Sequence, residues 1–162
     1  DFARPPKAER RLLNLHDVIG SVLSLTRGRA EKQRVSVQVR APSEPIPITA
    51  DAGQLQQVLV NLLLNAFDAM PGGGSLNLVV RQVGGWIEIE VSDTGHGISV
   101  DLMPRLFQPF VSGKDTGLGL GLAISLRIAE DHGGTILVSN HSGEGATFTI
   151  RLPVAVPDLK SA

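Results

Sequence analysis

Residues 114–125 read "KDTGLGLGLAIS", with Gly117, Gly119 and Gly121 at every second position and a leucine after each. A strand would lose stability from so many glycines, and a helix interior loses roughly 1 kcal/mol at each. Yet "LAISLRIAEDHGG" (122–134) follows at once and has the apolar spacing of a helix. The stretch is read as a helix whose first turn is left bare. Such a turn presents unpaired N–H groups and the positive end of the helix dipole, which together suit an anion. It is not a GxxxxGK[ST] loop, and no strand runs directly into it as a dinucleotide fingerprint requires.

Upstream of the glycines, residues 94–116 are rich in Gly, Pro and Ser around one apolar knot, "LMPRLFQPF" (102–110). A connection this long is characteristic of a lid or of a disordered segment. Phe107 and Phe110, spaced i, i+3 around Pro109, are expected to peg it to the core. Lys114 reaches a phosphate as a point charge or is simply solvated. Before the lid, "VSDTGHGI" (91–98) sets Asp93 where a buried strand runs out, beside Gly95 and Gly97. A carboxylate there can accept from a ligand's exocyclic amine while the glycines let the ligand approach the backbone. The competing reading is an Asp–Thr–Gly turn. His96 is read as exposed and idle, and His16, His132 and His141 have no metal-ligand spacing.

The helix expected over "DAGQLQQVLVNLLLNAFDAM" (51–70) is apolar around most of its circumference, so it is mainly buried. Its one polar stripe is Gln54, Gln57, Asn61, Asn65 and Asp68, mostly amides and without a cation. Amide oxygens can ligate a Mg²⁺ shared with phosphates, and amide N–H groups can bond phosphate oxygens. Helix-to-helix hydrogen bonding is the other reading. Around these motifs, "LNLHDVIGSVLSLTRGRAEKQR" (13–34) has helical spacing, and "VSVQV" (35–39) alternates as a half-buried strand. "PSEPIPITA" (42–50), with three prolines, is at most an edge strand. "SLNLVVRQVGGWIEIEVSD" (75–93) is a hairpin turning at Gly84 and Gly85, and "GTILVSN" and "GATFTIRLP" are two further strands.

The 162 residues suffice for one domain with a proper core; 15 basic against 16 acidic residues give no field to recruit nucleic acid. Zero cysteines exclude disulfides and thiolate metal sites, and no apolar run reaches a membrane span. Helices and an antiparallel-rich sheet predict an α+β sandwich with helices over one face. The opening "DFARPP", without an initiator Met, predicts a piece of a longer protein.

Taken in order, "QVLVNLLLNAFDAM", "DTGHGI", "LFQPF" and "TGLGLGLAIS" resemble the N box, first glycine box, F box and second glycine box of the histidine-kinase ATP-binding domain. "GTILVSNHSGEGATFTIRLP" resembles that family's last two strands, and the resemblance covers roughly residues 12–153. Within the family, "NAFDAM" and "GLGLGL" look most like sensor kinases of the nitrogen-regulatory and dicarboxylate-sensing type.

The resemblance implies the Bergerat fold of the gyrase, Hsp90, histidine-kinase and MutL superfamily. That is a two-layer α/β sandwich with a mixed, mostly antiparallel sheet and a flexible ATP lid. It implies a linker over 1–11 from a missing dimerisation helix, an ATP-binding catalytic domain over 12–153, and a tail over 154–162. Asn65 is expected to coordinate Mg²⁺, and Asn61 to support metal and phosphates. Asp93 is expected to take the adenine amine, with Thr147 nearby through water and Gly95 and Gly97 flanking the base. Lys114 with the backbone of Gly117, Gly119 and Gly121 is expected to hold the phosphates, and Phe107 and Phe110 to anchor the lid.

The implied activity is protein-histidine kinase in a two-component regulatory system, using ATP and Mg²⁺. The γ-phosphate would pass to a histidine on the separate dimerisation domain, with a response regulator downstream. The expected fragment is cytoplasmic and monomeric, from a homodimeric parent that the family often anchors in the inner membrane; nucleic acid is not an expected partner. ATP-hydrolysing relatives carry a Glu where this chain has Asn61, which cannot take a proton at neutral pH, so transfer is favoured over hydrolysis. Many sensor kinases also place a cation and an aromatic where this chain has Asp68 and Ala69. An ATP hydrolase or anti-sigma-type serine kinase on the same fold, and a degenerate interaction module, are the alternatives.

Overall fold

The structure is a computed structural model, and it describes residues 7–109, 121–141 and 144–155. In chain order the elements are β1 (Arg11–Asn14), α1 (Leu15–Gln33), β2 (Val35–Arg40), β3 (Pro47–Ala50), α2 (Ala52–Asp68), β4 (Gly74–Val83) and β5 (Trp86–Asp93). A 3-10 turn (Met103–Arg105) follows, then α3 (Gly121–Asp131), β6 (Thr135–His141) and β7 (Gly145–Pro153).

Five strands form one sheet in the order β2-β4-β5-β7-β6, with β2 parallel to β4 and every other pair antiparallel. Period-two alternation gives this sheet two unlike faces. Leu76, Leu78 and Val80 on β4, Ile87, Ile89 and Val91 on β5, and Phe148, Ile150 and Leu152 on β7 are buried. Residues between them, such as Glu88, Glu90, Thr149 and Arg151, lie on the other face, where Arg151 meets Glu88 at 3.3 Å and Arg81 meets Glu90 at 2.9 Å. The helices cover the apolar face, α2 lying between α1 and α3 and touching β5. This is the expected α+β sandwich, with its aliphatic core between helices and sheet.

Local chemistry sets the element ends. Asn14 caps α1, its Oδ1 accepting the N–H of His16 (3.1 Å) and also that of Ile46 (3.0 Å). Asp51 caps α2 by accepting the N–H of Gln54 at 2.9 Å, as an N-cap aspartate should. The hairpin turns at Gly84, where φ is +62°.

One feature differs from the sequence reading, while the proline-rich stretch forms the edge strand that reading allowed. Arg11–Asn14 is a strand, and helix α1 begins after it. The proline-interrupted stretch supplies its partner: β1 and β3 pair antiparallel as a separate two-stranded sheet, with Leu13 opposite Ile48. Pro47 is tolerated because it opens its strand, where no ladder bond is lost. Among the described residues, no helix is long and apolar enough to cross a membrane.

Candidate functional site

Helix α2 buries Leu55, Val58, Leu59, Leu62, Leu63, Ala66 and Phe67 against the rest of the core. Its amide side is what remains. Asn61, Asn65 and Ala69 follow one another at four-residue steps, each partly exposed. At 1.5 Å per residue this strip runs for roughly 12 Å along the helix.

The second glycine motif closes one end of the strip. A Cβ on Gly121 would lie 2.7 Å from Nδ2 of Asn61, so the first residue of α3 rests directly on that amide. The same Nδ2 donates to the hydroxyl of Ser125 at 3.0 Å, and Ser125 is only 1% exposed. At the other end the carbonyl of Ala69 accepts the N–H of His96 at 3.2 Å. A Cβ on Gly95 would lie 2.1 Å from that carbonyl oxygen, so only glycine fits. The structure thus brings α2, the start of α3 and the Asp93 loop together around one strip, with Asn65 in its middle.

Asp93 ends β5 and is 9% exposed. Its Oδ1 accepts the N–H groups of Gly95 (2.9 Å) and Ala146 (3.3 Å), so both backbone bonds fall on one of its two oxygens. Burial pushes its carboxyl above the ordinary value of 3.8; the N–H groups of Gly95 and Ala146, and then the charge of His96, oppose that shift. Gly145, at φ +111°, lets β7 pass so close that a Cβ would sit 2.0 Å from the Asp93 carbonyl oxygen. The Asp–Thr–Gly turn and the ligand-facing carboxylate are therefore compatible: one oxygen makes the turn.

Thr147 is a correction. It pairs opposite Ser92 in the sheet, and its hydroxyl lies 2.8 Å from the Ser92 hydroxyl. Strand alternation puts Ser92 and Asp93 on opposite faces, so Thr147 points away from the helices. The β7 group that reaches Asp93 is the backbone N–H of Ala146.

Phe107 is pegged to the core as expected, its ring standing edge-on to Phe148 at 6.5 Å between centroids. Gly97 is buried, with φ +79°. Phe110, Lys114, Gly117 and Gly119 lie outside the described residues. The polar stripe of α2 splits at its ends. Gln54 is buried, while Asp68 receives Arg29 of α1 at 2.6 Å and is thereby held toward that helix. Ser125 and the Ala146 N–H escaped the sequence reading. A lone serine inside "LAISLRIA", on a helix otherwise apolar on that side, was the available signal for the first; a backbone donor leaves none.

Among the described residues, no three His, Asp or Glu side chains come together as a metal cage. The neutral amide oxygens of Asn61 and Asn65 fit a different arrangement. Mg²⁺ keeps several waters and is commonly held by one or two protein oxygens plus substrate phosphates.

Comparison with known proteins identifies the family and the fold. Residues 50–156 match the family model described as histidine kinase-, DNA gyrase B-, and HSP90-like ATPase. The chain is 40% identical to the sensor protein FixL of Bradyrhizobium diazoefficiens over 96% of its own length and 31% of the relative's. It is 35% identical to the sensor histidine kinase ZraS of Escherichia coli strain K12, over 96% of its own length and 34% of the relative's. The chain therefore spans about a third of these relatives. Among solved structures, the catalytic domain of histidine kinase ThkA aligns with TM-score 0.82 and 30% identity, over 90% of this chain and 98% of that one. Full-length ShkA in complex with AMPPNP aligns with TM-score 0.83 and 30% identity, over 93% of this chain and 32% of that one. With its motifs in order, its mixed sheet under three helices and these relatives, the chain belongs to the histidine kinase-, DNA gyrase B- and HSP90-like ATPase family and is homologous to the catalytic domains of sensor histidine kinases.

Proposed function

We propose that this domain binds Mg-ATP and presents its γ-phosphate to a histidine on a separate dimerisation domain of a longer sensor kinase. The observation that carries the reading is Asp93: a buried carboxylate with one oxygen tied down by two backbone N–H groups, at the end of the amide strip of α2. Adenine would donate its amine to Oδ2, against the backbone of Gly95 and Gly97. The phosphates would then extend along α2 towards Gly121, where the N-terminal end of α3 favours negative charge.

Asn65 and Asn61 are the residues that would hold Mg²⁺ together with the phosphates; the ion, when bound, neutralises charge that develops during transfer. Asn61 also carries the reading away from hydrolysis. Its amide donates to Ser125, and an amide cannot remove a proton from water at neutral pH. In-line phosphoryl transfer needs positioning and charge neutralisation more than a protein nucleophile within this domain. On this reading residues 1–11 lead from the dimerisation helix, residues 12–153 bind nucleotide, and a response regulator receives the phosphoryl group downstream. One neighbour in fold, histidine kinase ThkA in complex with the response regulator TrrA, is in keeping with that order.

The test is calorimetric titration of the chain with a non-hydrolysable ATP analogue, with and without Mg²⁺. Affinity that rises with Mg²⁺ and is lost in Asp93→Asn is the expected result. No heat at millimolar nucleotide would overturn the proposal in favour of a degenerate interaction module. Phosphate release without an acceptor domain would favour the hydrolase.

A further inference from the structure

We infer that Asn140 is a positioning residue that holds the adenine-facing loop in its binding conformation, an inference that rests on the nucleotide site proposed above. Asn140 lies on β6, the edge strand beyond β7. Its side-chain Nδ2 donates to the carbonyl of Ile98 at 2.7 Å, and its Oδ1 accepts the N–H of Ile98 at 2.8 Å. A side-chain amide offers one donor and one acceptor side by side, so it can satisfy both backbone groups of a single residue at once. The pairing imitates the two-bond exchange of an antiparallel ladder, with a side chain in place of the second strand.

The consequence concerns residues 95–98. From one side, Ala69 at the end of α2 receives the His96 N–H and leaves room only for a glycine at 95. From within, Asp93 receives the Gly95 N–H. Asn140 supplies the third fixed point, from β6, which β7 separates from β5 in the sheet. Between His96 and Ile98 sits Gly97, in the left-handed region at φ +79°, a residue with many alternatives open to it. Without the clamp, the loop downstream of Gly97 is free to sample them. Nucleotide binding must then order that segment, and the ordering cost is subtracted from affinity. Asn140 thus acts through Ile98 and needs no contact with the ligand.

The experiment compares the native chain with Asn140→Ala and Asn140→Asp by amide hydrogen exchange without nucleotide and by calorimetry with ADP. In Asn140→Ala, the Ile98 and His96 amides are expected to lose protection while those of Ile89 and Leu78 in the central strands keep theirs. ADP affinity is expected to fall about tenfold, the size of effect that two modest hydrogen bonds support. Asn140→Asp keeps the acceptor for the Ile98 N–H but sets a carboxylate oxygen against its carbonyl, so an affinity loss is expected there too, in a side chain of nearly unchanged shape.

Unchanged protection at Ile98 in Asn140→Ala overturns the clamp, and ADP affinity within twofold of native overturns its role in binding. Should Asn140→Ala fail to fold, Asn140→Asp decides: native-like exchange or native-like affinity overturns the inference. A native chain that binds no ADP counts against the proposed function, whereas the exchange of Ile98 reads the clamp with no nucleotide present.

Discussion

The side-chain amide of Asn61 on α2 donates to the hydroxyl of Ser125 on α3 across 3.0 Å, beneath a glycine that a single Cβ would drive into it. The two helices that bear the N box and the second glycine box are therefore joined at the amide expected to support the phosphates. Two substitutions separate stability from binding here. Gly121→Ala gains helix propensity of about 1 kcal/mol, and it displaces only the end of a flexible side chain. Its melting temperature should stay near native while affinity for Mg-ATP falls about tenfold, the scale of one lost charge-assisted contact. Ser125→Ala should cost about 1 kcal/mol of stability and weaken binding less. Thermal melting and calorimetry on both proteins check this; a Gly121→Ala protein with native affinity would detach Asn61 from the site.

Asp93→Asn should likewise part binding from folding. The asparagine can keep an acceptor for the N–H groups of Gly95 and Ala146, but it loses the charge that burial disfavours. A raised carboxyl pKa means that the folded state holds its proton more tightly than the unfolded one. That stability is present below the unfolded value and is lost as pH rises through the folded one. Above the folded value the ionised, buried Asp93 weighs against folding, and there Asp93→Asn should unfold at equal or higher urea concentration than native while failing to bind adenine nucleotides. A variant that both unfolds more easily and still binds ATP would contradict both halves.

Glycines divide into those that space requires and those it does not. Alanine at Gly95 or Gly145 would place a Cβ 2.1 Å from the Ala69 oxygen or 2.0 Å from the Asp93 oxygen, and backbone cannot yield as a side chain can. Each should cost about 2–4 kcal/mol, with adenine binding lost as the loop shifts. Gly20 and Gly28, inside α1, have nothing within 4 Å of a built Cβ. Alanine there should stabilise by up to about 1 kcal/mol. Urea unfolding of the four single variants gives the contrast directly.

Asp51 ties three segments together and should make stability depend on pH at the acid end. Its carboxylate accepts the N–H of Glu9 at 2.8 Å as well as that of Gln54, and its own N–H donates to Nε2 of the buried His132 at 3.1 Å. The Glu9 N–H first, then that of Gln54, hold its carboxyl below the ordinary 3.8, with burial opposing them. For a depressed carboxyl the stabilisation is present above the unfolded pKa and is lost as pH falls through the lower folded one. Asp51→Ala should cost about 1 kcal/mol at pH 7, the usual value of an N-cap. The gap between native and variant should close as pH falls below the unfolded value of 3.8 and through the lower folded one, where the native carboxylate takes up its proton. Denaturant titrations of both proteins at a series of pH values test this, and a gap constant with pH would remove the carboxylate from the account.

Periodicity was enough to place α2, the β4–β5 hairpin and the β6 and β7 strands, because apolar spacing and glycine or proline stops act locally. β1 was not legible in that way. "RLLN" has no alternation of its own, and it becomes a strand only because β3, more than thirty residues on, offers it an edge. The same division runs through the site. The amides of α2, the carboxylate at the end of β5 and the glycine-led helix are chemical types at fixed spacings, so the sequence by itself carried the family and named the groups proposed for the site.

Orientation belonged to the tertiary structure. Asp68 reads as part of the amide stripe until Arg29 of α1 claims it, and Thr147 reads as a neighbour of Asp93 until sheet register turns it to the other face. Ser125, the Ala146 N–H and the Asn140 clamp act on partners that lie between 42 and 64 residues away along the chain. Residue type and spacing set which chemistry is present; only the packing of helices on a registered sheet decides which atoms meet, because hydrogen bonds depend on distances that no local pattern encodes.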